Sequence, residues 1–70
     1  MNPLLVLKLL QMVGPALAEA PKFIDLFHEI IGTFHQKDQV TLKAAYADLI
    51  ANNDEGHARL QAKLAAAAGQ

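Results

Sequence analysis

The side chains best suited to chemistry lie in a short central segment, Lys22 to His35. Asp25, His28 and Glu29 stand at i, i+3 and i+4, so on a helix they share one face and could in principle bind a divalent metal ion, with His35 two turns further along. A zinc-protease motif would need a second histidine at position 32, which is a glycine here. We therefore interpret this cluster as a solvated helix face and expect no metal or cofactor.

Nucleophilic catalysis has little support in the sequence. His57 follows Gly56, but the chain has no cysteine and no serine that this histidine could activate. The four glycines are isolated from one another, so they do not form a phosphate-binding loop. We expect a protein that is not an enzyme, with no catalytic residue.

Length and composition favour one small domain that uses a partner. Seventy residues allow a single domain, 1–70, and a core of this size usually needs reinforcement by disulfides, a metal or an oligomer contact. Hydrophobic residues make up 53% of the chain, and there is no cysteine for a disulfide. The net charge is −1 and the basic residues are dispersed, so nucleic-acid binding is not expected.

A stripe of aromatic and β-branched residues organises the centre of the chain. Phe23, Ile24 and Phe27, and then Ile30, Ile31 and Phe34, recur at the spacing of one helix face. We expect this face to pack against one flank of the second half and to form the core with it. The predicted core residues are Phe23, Phe27, Ile30, Ile31, Phe34, Leu42, Tyr46 and Leu49.

The first half, 3–36, is predicted to be a bent helical arm. Asn2 can cap a helix that starts at Pro3 and continues to about Val13, where Gly14 and Pro15 supply a stop. Pro21 should produce either a kink or a fresh helix start. A stripe of polar residues passes through both later prolines at spacings of three or four, which favours kinks.

The second half, 39–68, is predicted to be one long helix after a polar junction at 35–38, with Asp38 as its N-cap. Apolar or small residues recur there at alternating spacings of four and three, the pattern of a helix packed along a seam. The members of this seam are Leu42, Tyr46, Leu49, Asn53, Gly56 or His57, Leu60, Leu64 and Ala67. We expect His57 to be half-buried on the seam. The alternative is a break at 52–54, with Asn53 or Asp54 capping a last helix.

Two regions are candidates for an interaction surface. The first helix is apolar almost all round, so part of it should remain uncovered in a chain of this size. Asn53 and Gly56 interrupt the seam of the second arm, and a polar residue at such a position can fix helix register or oligomer state. The predicted surface comprises Leu5, Leu9, Met12, Val13, Asn53, Gly56, Leu60 and Leu64.

The second arm also resembles a known class of sequences. Its segment 42–64, LKAAYADLIANNDEGHARLQAKL, is similar to segments of small helical proteins of tailed bacteriophages. The resemblance implies a virion or assembly component, or an accessory protein that acts on a host factor. It carries no chemical motif and therefore implies no functional residues.

These observations predict an all-α protein, either a helical hairpin or a small three-helix arrangement, with a proline-kinked first arm folded antiparallel on a long second helix. We expect it to assemble with itself or to bind another protein. The alternatives are a small inhibitor that docks on a host protein and a membrane-surface protein anchored by residues 4–13. Lys8 interrupts the apolar run and no basic residue precedes it, so we expect no cleaved signal peptide and a cytoplasmic or virion-associated protein.

Overall fold

The computed structural model of the chain describes residues 3–69 and is built from α-helices, with no strand among those residues. The all-α prediction is confirmed. The five helices are α1 (Pro3–Val13), α2 (Pro15–Ala18), α3 (Pro21–Ile31), α4 (Gln36–Ala51) and α5 (Asp54–Ala68). The predicted cap at Asn2 lies outside the described residues.

The first arm is three separate helices and not one kinked helix. Gly14 ends α1 with φ at +84° and ψ at 158°, a backbone conformation that is essentially restricted to glycine. Pro15 and Pro21 each occupy the start of the following helix, where a missing N–H costs no hydrogen bond. Pro21 therefore makes a fresh start, with Ala20 in an extended conformation before it.

The junction between the two halves lies earlier than predicted. The turn covers residues 32–35, and α4 already begins at Gln36, with His35 in the extended N-cap position. Asp38 is not the N-cap but lies in the first turn of α4, where a carboxylate is favourable to the helix dipole. The amide of Gln39 reaches back and donates to the carbonyl of Phe34 at 2.8 Å, which ties the turn to the helix.

The prediction of one continuous helix over 39–68 is wrong. Asn52 ends α4 in the left-handed conformation, with φ and ψ both at 49°. Asn53 is extended, and its side-chain oxygen accepts from the backbone N–H of Gly56 at 2.7 Å, which caps α5. The regular seam did not exclude this break, because two asparagines can satisfy both helix ends locally.

Helices α1, α4 and α5 form the centre of the molecule. The starts of α1 and α4 lie beside the end of α5, around a groove lined by Pro3, Thr41 and Ala67. At the opposite end, Gln11, Asn52 and His57 line a second groove, which joins the ends of α1 and α4 to the start of α5. Hence α1 runs parallel to α4 and antiparallel to α5. The predicted antiparallel packing of the first arm on the second half therefore holds for α1 against α5 but not against α4.

The short helices α2 and α3 return the chain from one end to the other and pack on α4. The hydroxyl of Tyr46 donates to the carbonyl of Ala18 at 2.5 Å, so a helix-end carbonyl of α2 gains a partner on α4. The ring of Tyr46 also stacks on Phe27, with centroids 5.0 Å apart, and on Phe23 at 6.5 Å. These contacts attach the central aromatic stripe to one flank of α4.

The predicted core residues fall into two groups. Five of them are buried: Phe27, Ile31, Phe34, Leu42 and Leu49. The others, Phe23, Ile30 and Tyr46, are half-buried and pack against the core. The largest fully buried side chains, however, are Leu7 and Leu10 of α1 together with Leu42, so α1 supplies the centre that the sequence interpretation had assigned to the aromatic stripe.

Candidate interaction surfaces and a buried carboxylate

Asp48 is a buried charged residue at the interface between α4 and α5, and it is 6% exposed. Its Oδ1 accepts from Arg59 Nε at 2.9 Å and its Oδ2 accepts from Lys63 Nζ at 2.5 Å. Arg59 and Lys63 are one helical turn apart on α5, so both reach the same carboxylate. The Asp48 carboxylate of α4 is thus bound to two cationic side chains of α5, which links the two helices.

The two cations outweigh the cost of burying the Asp48 carboxylate. Burial by itself would raise the pKa of Asp48, because it penalises the charged form. The hydrogen bonds from Lys63 and Arg59, together with their positive charges, act in the opposite direction and leave this pKa below its ordinary value. Asp48 is therefore ionised at neutral pH and acts as a structural anion.

Sequence reasoning missed this cluster. Arg59 and Lys63 follow Asp48 by 11 and 15 positions, and they meet it only because the chain reverses at Asn52. One local signal was available: Asp48 is a charged residue directly before Leu49, on a helix face that is otherwise apolar. A carboxylate in such a place requires a partner, although its identity depends on the fold.

Gly56 is buried where the start of α5 lies close to the backbone of α4. A Cβ atom at this position would lie 2.5 Å from the backbone carbonyl oxygen of Asp48 and 3.4 Å from the Cβ of Ala51. Gly56 thus lies at a close backbone contact between α5 and α4, and this contact is within the chain. Gly56 allows the hairpin to close tightly enough for the Asp48 cluster to form.

Most of the predicted surface on the second arm is internal, and that part of the prediction is wrong. Gly56 and Leu60 are buried, because α5 turns this face toward α1 and α4. Leu64 is half-buried against the same core. Asn53 is exposed but is occupied as a helix cap, so it does not set register along a continuous seam.

The first helix retains an exposed apolar face. Leu5, Leu9 and Met12 are 60%, 43% and 84% exposed, while Val6, Leu7 and Leu10 on the opposite side are buried. Val13, the fourth residue predicted for this surface, is half-buried and packs against the core. We name the set Leu5, Leu9 and Met12 the α1 outer face. Its members are spaced at i, i+4 and i+7, which is one helical stripe.

The candidate metal ligands do not form a site. Asp25, His28, Glu29 and His35 are all exposed. Within residues 3–69 no three His, Asp or Glu side chains are grouped so that they could hold a metal ion. His57, expected to be half-buried on the seam, is exposed and lines the groove at the ends of α1 and α4.

The wall of that groove is mixed in character. Leu49 and Leu60 supply apolar surface, while Gln11, Asn52 and Gln61 supply amide groups. The groove can therefore offer hydrogen bonds and a small apolar floor. Among residues 3–69, no acid lines it with which the His57 imidazole could form a catalytic pair.

None of the helices in the described part of the chain is long and apolar enough to cross a membrane. The arrangement thus consists of an exposed apolar helix face and an internal ion-pair cluster. No family model, curated protein or solved structure matches the chain significantly.

Proposed function

We propose that this protein is a non-enzymatic interaction protein and that it self-associates through the α1 outer face. The observation that carries the proposal is the exposure of Leu5, Leu9 and Met12 along one stripe of a helix whose other side forms the core. A stripe of large apolar side chains is typical of a protein contact, whereas isolated exposed leucines are ordinary.

A second copy of the chain is the occupant that we favour. An antiparallel pair of α1 helices related by a twofold axis near Leu9 would set Leu5 against the partner's Met12, and Met12 against the partner's Leu5. Such an interface is self-complementary, as closed dimers require. Lys8 is the single charged residue of α1 and can extend its ammonium group into water beside the contact.

The size of the face sets the expected affinity. Stable specific interfaces bury roughly 800 Å² on each partner, more than three side chains supply. We therefore expect weak association, with a dissociation constant in the micromolar range or above, and a thermal midpoint that rises with protein concentration. In the phage setting implied by the resemblance of segment 42–64, high local copy number would favour such weak contacts.

The test compares Leu5→Gln/Met12→Gln with a matched control, Leu26→Gln/Val40→Gln. Leu26 and Val40 are also exposed apolar residues, 52% and 63% exposed, on α3 and α4. Light scattering over a dilution series should show association for the wild type and the control and its loss in the α1 variant.

A wild-type mass that stays monomeric up to millimolar concentration would contradict the proposal. Two further measurements separate the alternatives. Vesicle co-sedimentation that depends on the α1 outer face would indicate a membrane-surface protein instead. A monomer that binds a separate protein through this face would indicate an inhibitor or adaptor.

A further inference from the structure

We propose that α5 exchanges between two copies of this chain, with residues 52–53 acting as the hinge, to form a domain-swapped dimer. In that dimer α4 and α5 of each chain join into one continuous helix, and the α5 half packs on the partner's α1 and α4. This state is distinct from the closed monomer described above, and it does not use the α1 outer face.

The first argument is that the buried faces of α4 and α5 are in phase. At 100° per residue, the buried residues Leu42, Ala45 and Leu49 of α4 point in the same direction as Gly56 and Leu60 of α5 when the numbering is continued through 52–53. Opening the hinge would therefore leave one straight helix with one apolar face.

The second argument is the nature of the hinge. Only Asn52 and Asn53 separate the helices, and Asn52 is the one residue among 3–69 other than glycine with a positive φ, at 49°. This left-handed conformation costs asparagine more than glycine, although asparagine adopts it more readily than most residues, and a helical Asn52 would not bear that cost. Short, strained hinge loops favour exchange over closure.

The third argument is the symmetry of the two helices. The lengths of α4 and α5 are 16 and 15 residues, so the hinge lies at the middle of the joined helix. Two such helices running antiparallel would set α4 of each chain against α5 of the other. Every contact now made between α4 and α5, including those of Asp48 with Arg59 and Lys63, can then be rebuilt between chains.

The cluster around Asp48 allows a direct test by complementation. One chain carries Asp48→Lys, and the other carries Arg59→Glu and Lys63→Glu. Each chain alone places like charges at the α4–α5 interface, whether closed or exchanged as a homodimer. A mixed swapped dimer pairs opposite charges at both interfaces. The amount of this heterodimer should therefore exceed the amount of either homodimer by about a hundredfold or more.

The two chains are unfolded together in urea, refolded as an equimolar mixture and weighed by native mass spectrometry. A folded 1:1 heterodimer is expected. Both chains also carry Leu5→Gln and Met12→Gln, so association through the α1 outer face cannot produce it. Absence of a heterodimer overturns the proposal, because the swapped state restores the contacts that each chain has lost.

A second measurement uses the hinge in an otherwise wild-type chain. Asn52→Gly removes the cost of the left-handed turn at two hinges, so it should raise the dissociation constant of the swapped dimer about a hundredfold, or tenfold at each hinge. Thr33→Gly, in the turn between α3 and α4, is the control and should leave that constant unchanged. An equal effect of both variants, or no effect of Asn52→Gly, overturns the hinge assignment. Neither result bears on association through the α1 outer face.

Discussion

The residue that most clearly reflects the tertiary structure is Asp48. A carboxylate removed from water is tolerated only when charged donors satisfy it, and here Arg59 and Lys63 each provide one. Lys63 is itself only 23% exposed at its side chain, so removing the carboxylate would leave a partly buried cation without its partner. The cluster therefore matters more for the cost of breaking it than for the net gain of forming it.

Acid should destabilise the protein through Asp48. Its pKa is lowered in the folded state, so the unfolded chain binds a proton first as the pH falls. The stabilisation is complete above the ordinary value of about 3.8 and is lost as the pH falls below it toward the folded pKa. Urea denaturation at pH 5 and pH 3 should therefore show a lower free energy of unfolding at pH 3.

Asp48→Asn should lower the free energy of unfolding at pH 7 by about 1–3 kcal/mol. The asparagine oxygen can accept from only one of the two cations, and its NH2 group would face the other, which is also a donor. It should also reduce the loss of stability between pH 5 and pH 3. Asp25→Asn, which removes an exposed carboxylate on α3, is the matched control. If Asp48→Asn retains the full pH dependence of the wild type, this carboxylate is not its source.

At the scale of elements, the decisive feature is the hairpin of α4 and α5. Three residues within five positions make it possible: Asn52 ends one helix, Asn53 caps the next, and Gly56 lets the two backbones approach. Asp54 and Glu55 place negative charge in the first turn of α5, where the helix dipole favours it. Residues 52–56 therefore permit the hairpin locally, although its packing depends on the rest of the fold.

Gly56→Ala should destabilise the fold although alanine is the better helix former. Its new methyl group would lie 2.5 Å from the carbonyl oxygen of Asp48, so α4 and α5 would have to separate. We expect a loss of about 1–3 kcal/mol by thermal or urea denaturation.

Gly32→Ala provides the control for this substitution. Gly32 has an ordinary right-handed conformation, and a Cβ there would lie 3.4 Å from the backbone carbonyl oxygen of Glu29, an ordinary van der Waals contact. It should be neutral or slightly stabilising. Equal effects at both glycines would show that the close approach of α5 to α4 is not what Gly56 provides.

At the scale of the whole molecule, α1 has two opposite roles. Its inner side supplies Leu7 and Leu10, which are completely buried between α4 and α5. Its outer side exposes Met12 and part of Leu9. The other helices of the described chain do not cover every side of this apolar helix, so one side remains exposed.

Truncating the two sides of α1 should therefore have opposite consequences. Leu10→Ala should lower the free energy of unfolding by about 2–5 kcal/mol, because it leaves a cavity in the core. The total for a domain of this length is about 4–10 kcal/mol, so the variant would lose a large part of its stability. Met12→Ala should change it by no more than about 0.5 kcal/mol when measured on dilute monomer. Similar losses in both variants would contradict the burial of only one side.

Several elements could be predicted because their causes are local. The bounds of α1 follow from Pro3 and from the stop at Gly14 and Pro15, and the burial of Phe27 and Ile31 follows from helical periodicity. The candidate site was less predictable. The exposure of Leu5 and Met12 agrees with the expected surplus of apolar surface on α1. Gly56 and Leu60, however, were predicted to contact a partner and are buried inside the chain.

The sequence by itself determined where helices can begin and end, since prolines, glycines and capping side chains act within a few residues. It also determined the apolar stripe of α3 and of α4, because that stripe depends on periodicity. Since α1 is apolar almost all round, its buried side depended on packing. The tertiary structure decided whether the α4–α5 seam stays straight or folds back, which contacts become internal, and which cations meet Asp48. Periodicity is identical for a straight and a folded seam, so it does not distinguish them. In the closed chain, Asn52 and Asn53 permit the reversal, and both helices then pack against α1.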